Sequence, residues 1–427
     1  MIRRAPQAQR MNIAIIGAGI IGVTTAYELA SDGHQVTVFE RHGAVAEEAS
    51  FANAGLISPA QLLLWAAPGM PRKWLRHWGD AHAAIRLGPR LGLSELSWIG
   101  QWLRASRARR STESRLQLQQ MISYSLGRLH HLRQRHSFEF DASTGHLLLV
   151  RTAQEHKHLQ ARLSLLREAG LGFRELNAAQ ARQLEPALNP DSPIEAAIEL
   201  PLDEVGNCRQ FAWMLKNEAL HLGVNFEFNT TVRQVSAGPN PTLSTHKDTT
   251  ARPFDAIVLC AGTSVQALTK PLGLKIPLMG IQGYSVSANM REPLNAPRSV
   301  ISDERYRISI ARLGQRVRVA GGAELGYRHD DKRSTALRTL YKVLQDWFPG
   351  AASMTSGVQE WKGSRPMMPD GLPLLGASGI PGVWLNLGHG DNGWALSCGS
   401  ARLLADTLAG RSPELNPEVC SIKRLQR

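Results

Sequence analysis

A chain of 427 residues has the length for two or three domains, each able to bury its own core. With 43% hydrophobic and 20% charged residues, the composition excludes a disordered or collagen-like protein. The net charge of +13 predicts attraction to an anionic surface, either nucleic acid or acidic lipid headgroups. Cys208, Cys260, Cys398 and Cys420 lie far apart, with no CxxC pair and no histidine at ligand spacing. Neither a disulfide scaffold nor a metal site is therefore expected, and a reducing, cytoplasmic setting fits. No apolar run approaches the roughly 18 to 20 residues that cross a bilayer. Residues 1–10 carry three arginines with no apolar region of signal-peptide length behind them, and Met11 is an alternative start.

The first element is a short β-branched strand, Asn12 to Ile16, which runs into Gly17-Ala18-Gly19-Ile20-Ile21-Gly22. Apolar residues then recur at helical spacing from Ile20 to Ser31, Gly33 sits where a left-handed stop belongs, and a second strand, Val36 to Phe39, ends in Glu40. Strand, glycine turn, helix, strand and terminal acid together read as a dinucleotide site. Gly17 permits the tight turn, Gly19 lets backbone approach a pyrophosphate, and Gly22 lets the helix pack on the strand. The helix amino terminus offers N–H groups to the phosphates, and Glu40 is placed to accept hydrogen bonds from a ribose diol.

Between Arg72 and Arg110, nine Lys or Arg residues face two acids, Asp80 and Glu95, and are interleaved with Trp74, Trp78, Trp98 and Trp102. Cations beside interfacial tryptophans suit a peripheral contact with anionic lipid at the inner membrane face; the alternative is a basic face with its tryptophans packed inward. No nucleic-acid module accompanies the charge, so that partner is not expected. Strands are expected at Leu147 to Val150, around Tyr284 and Tyr306, and at Arg316 to Val319, with a polar surface hairpin or loop at Ser236 to Thr250. Ala256 to Gly262 reads as a buried strand ending in small residues. Near the carboxy terminus, the strand Val383 to Leu387 leads into a second glycine turn, Gly388-His389-Gly390-Asp391-Asn392-Gly393, and a helix from about Trp394 to Leu408. NAD and FAD sites share the first unit. The second helix amino terminus suits the pyrimidine carbonyl of a flavin, whose charge grows on reduction.

These segments resemble the FAD-dependent D-amino acid dehydrogenases, within the group that includes D-amino acid oxidase, glycine oxidase and sarcosine oxidase. The resemblance runs from Met11 to near the end of the chain. It rests on the ordered set Ile15 to Gly22, Ser50 to Pro59, Trp65 to Gly69, Gly280 to Ser285, Arg365 to Pro373 and Gly388 to Gly390. It implies FAD held by residues 17 to 22, Glu40, Arg41, the loop Ser50, Ala52, Asn53, Ala54, Gly55 and Leu56, the main chain near Val232, Ala261, Gly262, and Gly388, His389 and Gly390. The family's dehydrogenases usually carry Gln at Leu56, Gly-Tyr at Ala60-Gln61 and Thr-Leu at Asp391-Asn392, so cyclic D-imino acids such as D-proline or D-hydroxyproline join the expected substrates.

The expected fold class is α/β: a Rossmann-type FAD-binding domain from 11–65, 195–275 and 361–427, and an α+β substrate domain on a mixed sheet from 66–194 and 276–360. The expected reaction moves a hydride from the substrate α carbon to flavin N5. A single glycine fingerprint offers no second pocket for NAD(P)H, so the substrate itself is expected to reduce the flavin, and with the membrane contact above electrons are expected to pass to a quinone or another carrier. Arg365, matching the arginine of the family's Gly-x-Arg-Pro motif, is the expected carboxylate anchor, with a structural ion pair as the alternative. Tyr284 and Tyr306 are candidate hydroxyl donors to the same carboxylate, or packed sheet tyrosines. His389 reads as a flavin-contacting or structural residue more than as a base. A glycine or sarcosine oxidase using oxygen, and a nucleotide-binding protein that no longer turns over, are the rival readings.

Overall fold

The computed structural model describes residues 10–60, 66, 71, 80, 82–88, 91–326 and 334–426. Most of the motif Trp65 to Gly69, and Gln61, Trp74 and Trp78, lie outside them. A six-stranded sheet forms around Asn12–Ile16, whose β-branched residues are buried as a central strand requires. Gln35–Phe39 and then Asn225–Glu227 lie on one side of it; Ala256–Leu259, Val383–Leu387 and Leu374–Ala377 lie on the other. All neighbours are parallel except the last two, which are antiparallel.

The helix Ile20–Ser31 follows the first strand directly, and Gly33 (φ 91°) turns the chain after it. This helix packs with Cys208–His221, Gly393–Leu408 and Ala108–His136 in one buried cluster, so a stretch expected in the substrate domain covers the nucleotide side. On the opposite face, Val235, Leu243 and Phe254 of a three-stranded antiparallel meander pack against Ile257, Leu259 and Leu385.

The second sheet has ten strands. Its main path runs Gln359–Met367, Met279–Asn289, Arg316–Leu325, Ile308–Leu313, Val300–Asp303, Ser143–Val150, Ala196–Val205, Leu56–Ile57. It is mixed, because Val300–Asp303 pairs parallel with Ser143–Val150 while the other neighbours on this path are antiparallel. The expected boundaries at 65, 195 and 361 cut through this sheet: Leu56–Ile57, Ala196–Val205 and most of Gln359–Met367 were assigned to the nucleotide domain yet complete the substrate sheet. Their pairing partners lie far along the chain, as Leu56 opposite Val205 and Met279 opposite Met367 show, and local periodicity does not reveal such partners.

Alternation along the strands divides this sheet's faces. Ile308, Ile310, Val317, Val319 and Val286 pack under the helix Ser334–Trp347 with Leu340, Val343 and Trp347. Ser309, Ala320 and Gly322 face the other way, into a cavity between the two sheets.

Candidate functional site

The cavity has a volume of about 760 Å³, within the range of cofactor and substrate pockets, and runs from the first glycine turn to the large sheet. At the nucleotide end Gly17 adopts φ 103°, and a side chain there would meet the Cys260 carbonyl oxygen at 2.7 Å. A Cβ on Gly22 would overlap the Gly17 carbonyl oxygen. Gly19 differs: only Ser50 Oγ, at 3.6 Å, approaches the position of its missing Cβ, so its bareness serves space in the cavity more than protein packing.

The Glu40 carboxylate accepts the Ala18 N–H at 2.7 Å and the His42 N–H at 2.8 Å, fixing the acid at the end of its strand and on the cavity wall. Ser50 Oγ accepts the Ile20 N–H at 3.1 Å, tying the loop from Ser50 to Leu56 to the first turn of the helix. The loop is closed at its far end by Gly55 (φ 76°), whose carbonyl accepts the Trp394 indole N–H at 3.1 Å.

The structure brings most of the expected cofactor residues into this one wall. Gly17, Gly19, Ile20, Ile21, Glu40, Arg41, Ser50, Ala52, Asn53, Ala54, Gly55, Leu56, Val232, Ala261, Gly262, Gly388, His389 and Gly390 line it, as do Asp391 and Asn392. Ala18 and Gly22 stand behind the lining, one bound to Glu40 and the other against Gly17. The residues fit a dinucleotide: bare backbone at Gly17 and Gly19, first-turn amides of a long helix lacking intrahelical partners, and a positioned acid. The second glycine turn forms a short 3₁₀ segment, Gly390–Asn392, before the helix Gly393–Leu408.

His389 is buried within this turn, where one ring nitrogen meets Ser400 Oγ at 3.2 Å. Burial pushes its pKa down to about 3, so it stays neutral in the native protein and is no base near neutral pH. The unfolded chain binds a proton on this residue below about pH 6.5, whereas the native protein does not until much lower pH. Stability from this group is therefore complete above pH 6.5 and is lost as pH falls. Between pH 7 and pH 5 it changes by about 2 kcal/mol, and His389→Gln should flatten the thermal midpoint over that interval by a matching amount.

Arg365 lies on Gln359–Met367, with Nη1 donating to the Gly322 carbonyl at 2.8 Å and Nε paired with Asp391 Oδ1 at 2.9 Å. Its guanidinium occupies the space a Cβ on Gly283 would need. Arg365 is ion-paired, as the alternative reading expected, and it also lines the cavity, where a carboxylate anchor would have to stand. Tyr284 also lines the cavity, but its hydroxyl donates to Glu324 Oε2 at 2.7 Å, which commits the proton it was expected to offer a substrate. Tyr306 falls in the turn between Val300–Asp303 and Ile308–Leu313 and not on a strand; its ring packs under the Arg151 guanidinium at 5.2 Å, outside the residues lining the cavity.

Arg307 escaped sequence reading. It lines the cavity beside Ser309 with φ 53°, and burial holds its guanidinium below the usual arginine range. Its only sequence signal is a cation placed directly before an apolar strand.

Trp98 and Trp102 belong to the helix Leu93–Ala105 and are 5% exposed; Trp98 donates its indole N–H to the Met367 carbonyl at 3.2 Å. They anchor the helix inward, which corrects the interfacial role expected of them. Leu93, Leu96 and Leu103 are exposed instead, at 88%, 53% and 44%.

Comparison with known proteins agrees with this geometry. A family model described as FAD dependent oxidoreductase matches residues 12–407. A D-amino acid dehydrogenase of Cereibacter sphaeroides is 37% identical over 418 residues, covering 97% of this chain and 95% of the relative. One of Rhizobium rhizogenes is 35% identical over 416 residues, covering 97% and 100%. Among solved structures, a glycine oxidase from Geobacillus kaustophilus superposes with a TM-score of 0.76 at 21% identity, covering 97% of this chain and 99% of its own. An L-proline dehydrogenase from P. horikoshii gives 0.71 at 17%, covering 98% of each. At these identities the structural likeness concerns the fold alone.

Proposed function

The chain belongs to the FAD-dependent oxidoreductase family, and from that premise we propose that it dehydrogenates D-amino acids at the α carbon. The full-length similarity to D-amino acid dehydrogenases supports the substrate class. The observation that carries the reading is the Arg365 guanidinium, fixed by Asp391 and Gly322 in the wall of the same cavity as the glycine turns. FAD, when bound, supplies an acceptor for a hydride.

The protein's own work is positioning. Gly17, Gly19, the first-turn amides and Glu40 would hold the ADP part of the cofactor, while the turn from Gly388 would meet the ring end. Arg365 receives the substrate carboxylate, and this single fixed point restricts where the α carbon can lie. The walls of Leu56, Trp361 and Met367 exclude water around it. The substrate nitrogen must lose its ammonium proton before hydride departs.

Cyclic D-imino acids such as D-proline or D-hydroxyproline are the preferred substrates in this reading. Leu56 adds apolar wall where the family's dehydrogenases usually carry a polar Gln, and the Asp391 carboxylate adds a charged acceptor for a ring hydroxyl where they usually carry a neutral Thr. Electrons then pass to a quinone or similar carrier. Anaerobic titration of the yellow protein with D- and L-amino acids, both proline isomers and sarcosine tests this. Bleaching by the D-isomers, followed by fast reoxidation with a soluble quinone and slow reoxidation in air, is the expected result. Bleaching confined to glycine or sarcosine with rapid reoxidation in air would replace this reading with the oxidase one.

A peripheral site on anionic lipid accompanies this proposal. Leu93, Leu96 and Leu103 form an exposed apolar stripe on one helix, with exposed Arg104, Arg107 and Arg110 beside it. No helix among the described residues is long and apolar enough to cross a membrane. Flotation with phosphatidylglycerol liposomes should show salt-sensitive binding, lost in Leu93→Ser/Leu96→Ser; salt-independent behaviour or no binding would retire the site.

A further inference from the structure

A buried chain of hydrogen bonds leads from the cavity into the large sheet and is not used by the chemistry above. Ser309 Oγ lies 2.8 Å from Ser302 Oγ; Ser302 Oγ lies 2.8 Å from His146 Nε2; His146 Nδ1 lies 2.8 Å from Asp203 Oδ2. The four residues come from four consecutive strands of the sheet, and all are buried, from 0% exposed at Ser302 to 6% at Ser309. The strand Ser143–Val150 meets Ala196–Val205 with a register shift between Thr144 and His146, next to Gly145 at φ 94°. Asp203 sits in the stretch of the partner strand that the shift leaves over. Ser309 and His146 both line the cavity.

The direction of this chain follows from elementary donor and acceptor rules. An ionised carboxylate can only accept, so His146 Nδ1 carries the hydrogen. When the ring carries no second hydrogen, Nε2 is an acceptor, which obliges the Ser302 hydroxyl to donate to it. Ser302 must accept from Ser309, because its own hydrogen is committed. Ser309 is left with lone pairs and no hydrogen to present to the cavity. A wall that presents only lone pairs at its cavity end, with an imidazole and a carboxylate behind them, is built to take a proton in.

We propose that Ser309, Ser302, His146 and Asp203 form a relay that accepts the proton of the substrate ammonium, making its nitrogen neutral for dehydrogenation. The N–H bond of the ammonium breaks as a new O–H bond forms at Ser309. The Ser309 hydrogen passes to Ser302, and the Ser302 hydrogen passes to His146 Nε2. The substrate gains a free lone pair, the imidazole becomes imidazolium, and Asp203 balances its charge. No electrons change hands in this step. The same moves in reverse return the proton when water refills the cavity.

Other charged groups share the cavity wall. Arg307 stands on it with Ser309, with Glu304 and Arg162 acting on its guanidinium, and Arg365 and Asp391 form their pair there. Arg307 and Arg365 oppose a positive imidazole. Asp203, in direct contact, is the group that favours it.

This inference rests on the cavity being the place where an amino acid is oxidised, and two measurements separate it from that reading. The first is the pH dependence of anaerobic flavin bleaching in the holoenzyme with D-alanine and D-proline. Ser309→Ala breaks the chain at the cavity, and Asp203→Asn lets an amide donate to Nδ1, reversing every bond. Both should slow bleaching about 100-fold at pH 7, with the deficit shrinking toward pH 10, where the amine arrives neutral. A purely structural role would lower the melting temperature while leaving the pH profile parallel to wild type.

The second measurement needs no turnover. In ¹⁵N-histidine-labelled holoenzyme, the His146 ring, assigned by the signal lost in His146→Gln, should carry its hydrogen on Nδ1, moving to Nε2 in Asp203→Asn. Parallel pH profiles in both variants, or an Nε2-protonated ring in the wild type, would overturn the relay. Failure of every D-amino acid to bleach the wild-type protein would instead overturn the reading of the site.

Discussion

Gly22→Ala is expected to purify without colour and to bind added FAD at least about 100-fold more weakly than the wild type. The added Cβ would overlap the Gly17 carbonyl oxygen, and that oxygen belongs to main chain that cannot rotate away like a side-chain tip. Either the helix Ile20–Ser31 lifts off the strand Asn12–Ile16 or the Gly17 turn shifts. The helix is fully integrated into a buried cluster, so the turn gives way, and with it go the amides proposed to face the phosphates. Overpacking of this kind costs about 1 to 3 kcal/mol, and about 2.8 kcal/mol is 100-fold in affinity. Gly33→Ala is the control. It places a side chain on a backbone at positive φ, at a cost of about 1 to 2 kcal/mol, but meets nothing within 4 Å and lies away from the cavity. It should lower the melting temperature while keeping the yellow colour. A yellow Gly22→Ala protein with wild-type FAD affinity would mean that the turn is not the phosphate site. Absorbance at the flavin band and a fluorescence titration with FAD decide between these outcomes.

What could be read from the chain divides along the range of the interactions involved. The first strand, its glycine turn, the helix Ile20–Ser31 and the acid Glu40 were legible because their geometry is fixed within about thirty residues: a β-branched run, three glycines with distinct steric duties, and a positive-φ stop. The same holds for Val383–Leu387 and its glycine turn. The ownership of Ala196–Val205 was not legible, since an apolar strand does not announce which sheet it joins. Tyr306 was misplaced for a related reason. A strand was expected around it, but the carboxylate of Asp303 caps a turn there by accepting the Tyr306 N–H at 3.1 Å and the Arg305 N–H at 2.9 Å.

Trp98 and Trp102 stand four apart and so share a helix face, which the protein buries; the leucines at 93, 96 and 103 take the other face. That spacing was present in the sequence but was outweighed by the density of arginines around it. The relay to Asp203 draws on residues 146, 203, 302 and 309, and only the sheet's register brings them together.

Arg365→Ala should keep FAD bound and slow substrate-driven bleaching by more than the roughly 100-fold expected from one lost anchor. A charge-assisted pair of hydrogen bonds to a carboxylate contributes about 3 kcal/mol, which corresponds to that factor. Here the loss is compounded, because Arg365 also neutralises Asp391 at 2.9 Å on the cavity wall. Without the guanidinium, the Asp391 carboxylate faces the incoming substrate carboxylate and repels it. Arg365→Ala/Asp391→Ala should therefore bleach faster than Arg365→Ala alone, an order of effects that a merely structural arginine would not produce. Arg365→Lys should rescue little. The planar fork lies over Gly283 while donating to both Gly322 and Asp391, and an ammonium cannot make those bonds and still grip a carboxylate side-on. The defect should appear in the substrate concentration needed for half-maximal bleaching as well as in the limiting rate, since the anchor both binds the carboxylate and sets the position of the α carbon. Stopped-flow bleaching of the four proteins across substrate concentration reads both quantities. If Arg365→Ala bleaches at the wild-type rate with an unchanged half-saturation, the guanidinium serves only the ion pair, and the carboxylate anchor has to be sought at Arg307.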